Sequence, residues 1–200
     1  MSQIKLTSQL KKVPFFYSKS KMIAKWILEG YDRNEIFQNG ILFNKVQIES
    51  IPRRREVMNH LYQRVSFLDH FLLKAFLEMD MVTSKFILLY AVAKQDALFD
   101  DFLSEVYRNA VLGEKKYISM DDFDLFFISK RETNLTVNKW STTTIELLGK
   151  AYRKMLIDSN LGVRKLKNIY VRKIFIHPEI MKYIEAIGDY KYLQSILGEK

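Results

Sequence analysis

KWSTTTIELLGKAYRKMLIDSNLGVRKLKNIYVRKIFI, residues 139–176, carries the pattern on which the reading of the whole chain turns. Ser141 is placed to cap a helix, and Ile145, Leu148, Tyr152 and Met155 recur three or four residues apart, the spacing of a single buried stripe. At about 100° per residue, Thr142, Thr143, Glu146, Lys150 and Arg153 share the opposite face, with Lys154 at its edge. Asn160 and Gly162 tolerate the left-handed backbone that closes helices, so the helix is expected to stop there. Ile169, Val171 and Phe175 then alternate with Tyr170, Arg172 and Ile174, and a turn at Lys167-Asn168 would pair this strand with Leu161 to Leu166.

Charge concentrates in the same stretch. Lys139, Lys150, Arg153, Lys154, Arg164, Lys165, Lys167, Arg172 and Lys173 face only Glu146 and Asp158, a local net charge of +7 within a chain of +9. Residues 1–58 are also basic, whereas 59–138 carry nine basic and twelve acidic residues. Two basic lobes around a mildly acidic middle suit a polyanionic partner. A basic, polar helix face followed at once by a basic hairpin is the order of a winged helix, whose recognition helix enters the major groove while the wing touches phosphate.

Working outward, two hundred residues suffice for one substantial domain or two small ones, and 48% hydrophobic content argues for packed cores. The absence of cysteine excludes disulfides, thiolate metal sites and cysteine nucleophiles, and fits a reducing cytoplasm. The longest apolar run, Phe86 to Ala93, is eight residues, against the ~20 needed to span a bilayer. No membrane association is therefore expected, and the first twenty residues show no apolar secretory core.

Taken in order, residues 1–17 read as an arm or short strand, and Ser18 or Ser20 opens a helix stopped by Gly30. Asp32 and Glu35 form a capping-box pattern, and Ser50 with Pro52 opens a helix bearing Arg53, Arg54 and Arg55. Arg53, His60 and Arg64 are read as sharing its outer face, so Arg53, Arg54, Arg55 and Arg64 form a secondary candidate DNA-binding group in a helix-turn-helix-like half. Asp69 and then Thr83 or Ser84 begin two further helices, the second apolar on nearly all sides. Asp96, Ser119 with Asp122, and Pro178 open three more, and Tyr190 to Leu197 closes the chain. The polar stretch RETNLTVN is read as a loop.

Catalytic signatures are missing. His60, His70 and His177 do not pair in metal-ligand spacing, and no phosphate-cradling glycine loop, G-x-S-x-G or H-E-x-x-H occurs. Asp100-Asp101 and Asp121-Asp122 evoke a two-metal nuclease, but their helix-start contexts favour capping. No catalytic residue, metal, cofactor or small-molecule substrate is expected.

SKSKMIAKWILEG, FILLYAVAKQDALFDDFLSEVYRN and WSTTTIELLGKAYRKMLIDSNLG resemble the corresponding blocks of the BrxA family of bacteriophage-exclusion (BREX) defence systems, over nearly the whole chain. The resemblance implies a helical protein of winged-helix or helix-turn-helix character that binds double-stranded DNA without catalysis, alongside other phage-defence proteins. It places the recognition role on WSTTTIELLGKAYRKML and the wing on VRKLKNIYVRK.

The expected fold is thus mostly α, with a helix-turn-helix-like region over 1–80 and a second region over 81–200 whose winged-helix-like element spans about 97–176. Lys139, Lys150, Arg153, Lys154, Arg164, Lys165, Lys167, Arg172 and Lys173 are expected on phosphates, and Thr142, Thr143 and Glu146 near base edges. A protein-interaction adaptor, or an RNA-binding protein using the N-terminal half, are the competing classes.

Overall fold

Local caps decide where most helices of this computed structural model begin. It describes residues 6–198, so the first five residues of the expected N-terminal arm lie outside the described residues. The chain packs as two units, 16–95 and a second one that joins the N-terminal arm to everything from Asp96 onward.

In the 16–95 unit, α1 (Tyr17–Leu28) is followed by α2 (Arg33–Phe37), which Asp32 and Glu35 open through a reciprocal capping box. A π-helical turn, Gln38–Leu42, continues it. Next come α3 (Ile51–Val65), α4 (His70–Glu78, capped by Asp69) and α5 (Met81–Gln95). The helix α5 begins two residues before the expected Thr83, because the Asp80 carboxylate accepts from the Val82 and Thr83 amides. Every side chain from Phe86 to Val92 is fully buried, as its all-round apolar sequence requires. It packs on α3 and α4, so the sequence boundary drawn near residue 80 falls between two helices in contact.

The second unit starts with a 3₁₀ turn, Gln9–Lys11, and resumes with α6 (Ala97–Phe102), opened by the buried Asp96 side chain. A π-helical turn, Leu103–Tyr107, runs straight into α7 (Arg108–Leu112). Then come β1 (Tyr117–Ile118), α8 (Met120–Thr133), α9 (Leu135–Asn138) and α10 (Thr142–Asp158). The hairpin of β2 (Gly162–Lys165) and β3 (Asn168–Val171) precedes α11 (Pro178–Ala186) and α12 (Tyr190–Leu197). The mostly α architecture agrees with the sequence reading, and the last helix has the expected bounds.

Several details differ, beginning with α1, which starts at Tyr17 and so contains both Ser18 and Ser20. The sheet has three strands, not two, in the order β1-β3-β2, all antiparallel. Lys165 pairs with Asn168, so the turn is Leu166-Lys167, one residue earlier than the glycine-free sequence indicated, and β3 ends at Val171 instead of reaching Phe175. The supposed loop RETNLTVN is largely helical, because Asn134 ends α8 and its side chain immediately caps α9 through the Thr136 and Val137 amides.

Candidate nucleic-acid interface

The helix α10 is held from beneath by aromatic packing. Leu148, Tyr152, Met155 and Leu156 are buried, while Ile145 at the start of the stripe is half-buried. The Tyr152 ring lies 4.9 Å from Phe99, 5.2 Å from Phe102 and 5.6 Å from Phe127 between ring centroids. Burial, reinforced by the nearby Asp96 and Asp101 carboxylates, holds its hydroxyl well above the ordinary phenol pKa, so Tyr152 remains neutral. The Ser141 hydroxyl accepts from the Thr144 amide at 3.2 Å and fixes the first turn. Asn160, at φ 67°, ends the last one. Gly162 then lets β2 close on β3, since a Cβ there would stand 2.5 Å from Ile169 Cγ2.

Between the outer face of α10 and the hairpin lies a cleft of about 720 Å³. Lys150, Arg153 and Lys154 line it from the helix, and Arg164 and Lys167 from the hairpin. Met120, Ile157 and Ile169 provide apolar lining, and Asp158 is its one acidic lining residue. Residues of the helix and of the hairpin thereby meet as one concave cationic surface.

The five cations are not equivalent. Arg153 is half-buried, its guanidinium 5.6 Å above the Phe123 ring centroid, with Nε donating to the Gly149 carbonyl at 3.3 Å and Nη1 against the Met120 sulfur. Burial first, and then the neighbouring Arg164 charge, lower its pKa, with Asp124 opposing; a guanidinium nonetheless stays charged. Lys154 pairs with Asp158 at 3.1 Å, an exposed i,i+4 pair worth at most about 1 kcal/mol and easily exchanged for phosphate. Arg164 Nε donates to the Leu166 carbonyl at 3.2 Å, while Lys150 and Lys167 are exposed.

The other residues singled out in this half sit outside the cleft. Thr142, Thr143 and Glu146 are exposed along the first turns of α10, and Lys139 is exposed just before it. Lys165 lies on the hairpin with its ammonium 4.9 Å over the Tyr170 ring. Arg172 and Lys173 follow β3; the Arg172 backbone is tied down by the Tyr107 hydroxyl at 2.9 Å, and the Lys173 ammonium stands 5.9 Å from the Phe175 ring centroid.

The secondary arginine group does not form one surface. Arg64 is only 1% exposed, and its Nε donates to Gln95 Oε1 at 3.0 Å, so it is part of the interior and not an outer-face contact. Arg54 donates to the carbonyls of Ile41 and Glu49 at 2.9 Å each and to that of Ile48, locking the segment before α3. Arg53 pairs with Glu56 at 2.6 Å, and of the four only Arg55 is exposed. The acidic pairs have structural partners: Asp100 with Lys191 at 2.9 Å, Asp101 with Lys130 at 2.7 Å, and Asp122 within the Ser119 capping box.

Sequence reasoning missed the N-terminal arm. The turn Gln9–Lys11 packs on α10, and Lys11 Nζ donates to Thr144 Oγ1 at 3.1 Å, bringing Lys11 and the exposed Lys12 beside the helix start. No signal in residues 1–17 announces this contact, because its partner lies 133 residues away.

The family model for BrxA matches residues 5–188. The BREX protein BrxA of Bacillus cereus (strain H3081.97) is 24% identical over 192 residues, covering 96% of each chain. An uncharacterized protein from Magnetospirillum magneticum, known from a crystal structure, superposes with a TM-score of 0.84 at 16% identity, over 98% of this chain and 100% of that one, which shows a shared fold. With the family pattern spanning both units, from the arm to the end of α11, the chain belongs to the BrxA family.

Proposed function

We propose that this chain is a non-enzymatic, double-stranded-DNA-binding component of a BREX phage-exclusion system, working in the cytoplasm beside the system's other proteins. The observation that carries the reading is the cleft between α10 and the hairpin, where five cations meet one carboxylate over an apolar floor. The order helix (α6 to α7), β1, α8, α10, β2-β3, with sheet order β1-β3-β2, supports taking residues 97–171 as a winged helix-turn-helix. On that reading α10 is the recognition helix, Thr142, Thr143 and Glu146 approach base edges, and the cleft residues grip the backbone beside the groove.

Fluorescence anisotropy of the full chain with duplex DNA, duplex RNA and single strands, each at two salt concentrations, tests this. Duplex DNA is expected to bind tightest, weakening as salt rises. Equal affinity for single strands, or no binding to DNA at low salt, refutes it. A protein-docking role is supported by a separate observation, the adjacent Leu42 and Phe43, 69% and 67% exposed in the 16–95 unit. Partner capture that survives cleft charge reversal but not Phe43→Ser would favour docking through that site.

A further inference from the structure

Leu166 stands out at the tip of the hairpin. Pairing of Lys165 with Asn168 leaves Leu166 and Lys167 as a two-residue turn, and Leu166 adopts φ 56°. Such turns favour Gly or Asn where φ is positive, because a Cβ crowds the neighbouring carbonyl. A leucine there is strained, and its side chain is 93% exposed, so neither backbone preference nor core packing accounts for it. Its carbonyl is held by Arg164 Nε, which fixes the strained residue in place. Arg164, Lys165 and Lys167, all exposed, lie within two residues of it in the chain.

An apolar tip with three cations so close in the chain does not suit an apolar protein pocket, which would strip water from all three. It suits a surface that alternates anions with an apolar slot, as the duplex minor groove does: phosphates along both walls and stacked base steps at the floor. We propose that Leu166 is a wedge that enters the minor groove and partly unstacks a base step, so that this chain kinks the DNA it binds, as inserted leucines do in architectural proteins. Lys165 and Lys167 would then hold the two flanking strands. This inference rests on the duplex-DNA reading above and adds to it a deformation of the DNA and a preference for flexible pyrimidine–purine steps.

The test uses the full chain and a duplex with 2-aminopurine beside a central TA step and a fluorophore pair at its ends. Binding is expected to raise 2-aminopurine fluorescence and to shorten the end-to-end distance, by an amount reflecting a kink on the order of 20–90°. Leu166→Gly and Leu166→Asn both suit positive φ, so the hairpin should persist in each. Both are expected to lose the two signals while affinity at low salt falls only severalfold, and Leu166→Met is expected to retain them. Wild-type binding with neither signal overturns the wedge while leaving DNA binding intact. Signals that survive in Leu166→Gly also overturn it, since the distortion would then come from another part of the interface. Failure to bind any duplex is registered earlier, by anisotropy, and overturns both readings.

Discussion

Reversing one charge on each wall of the cleft separates a built interface from general cationic attraction. Lys150 stands on α10 and Lys167 on the hairpin turn, and both are exposed lining residues without a packing role. Each phosphate contact contributes about 0.9 to the slope of log affinity against log salt, so losing two should flatten that slope by about 1.8. Referred to 1 M salt, two contacts at 0.1 M amount to roughly 60-fold, or about 2.5 kcal/mol, before added repulsion is counted. The control is Arg55→Glu with Lys74→Glu, two exposed positions of the 16–95 unit that change net charge by the same amount. Anisotropy titrations at four or so salt concentrations give both slopes. The Lys150→Glu, Lys167→Glu variant should lose the full factor and the control only a few-fold. Equal losses, or an unchanged slope in the cleft variant, refute the assignment of the cleft as the phosphate seat.

Leu148→Asp places a carboxylate beneath α10 at a fully buried position and should destabilise by more than about 4 kcal/mol, seen as loss of the cooperative thermal transition. Asp122 is raised by burial, but the Lys115 hydrogen bond and the two from Ser119 outweigh this and leave its pKa below the usual carboxylate value. Its stabilisation is therefore complete above the unfolded pKa near 4 and lost as pH falls through the lower folded value. Asp122→Asn should reduce Tm by about 2–4 °C at pH 7, converging on wild type at about pH 2; a constant difference would refute the linkage. Lys11→Glu with Lys12→Glu should weaken duplex binding less than the cleft variant does, and no weakening at all would exclude the arm from the interface.

What the sequence made legible was local. Capping patterns at Asp32, Asp69, Asp96, Ser119 and Ser141 act within three residues, and each operates in the structure. The stripe from Leu148 to Met155 was equally readable, because one period of the helix decides it. Arg64 misled because its charge was weighed above its position: seven residues after Val57 and three after Leu61, it borders the apolar stripe, and Gln95 of α5 covers it. The two-residue β1 has no periodicity to detect and exists only through Tyr170 and Ile169 on β3. The cleft was half visible, since the sequence supplied its cations but not which of the nine would converge. Lys139, Lys165, Arg172 and Lys173 belong to the same run of charge and fall outside it.

The packing of Gln9–Lys11 on α10 also sets an order of events during synthesis. Residues 16–95 form a compact unit of their own, and all of it is made before α10. The turn, with Lys11 bonded to Thr144, must wait for a partner 133 residues downstream. At about 5–20 residues per second that interval is roughly 7–27 s, during which the turn lacks its helix. A turn made early in the described chain is thus among the last parts of it to be placed.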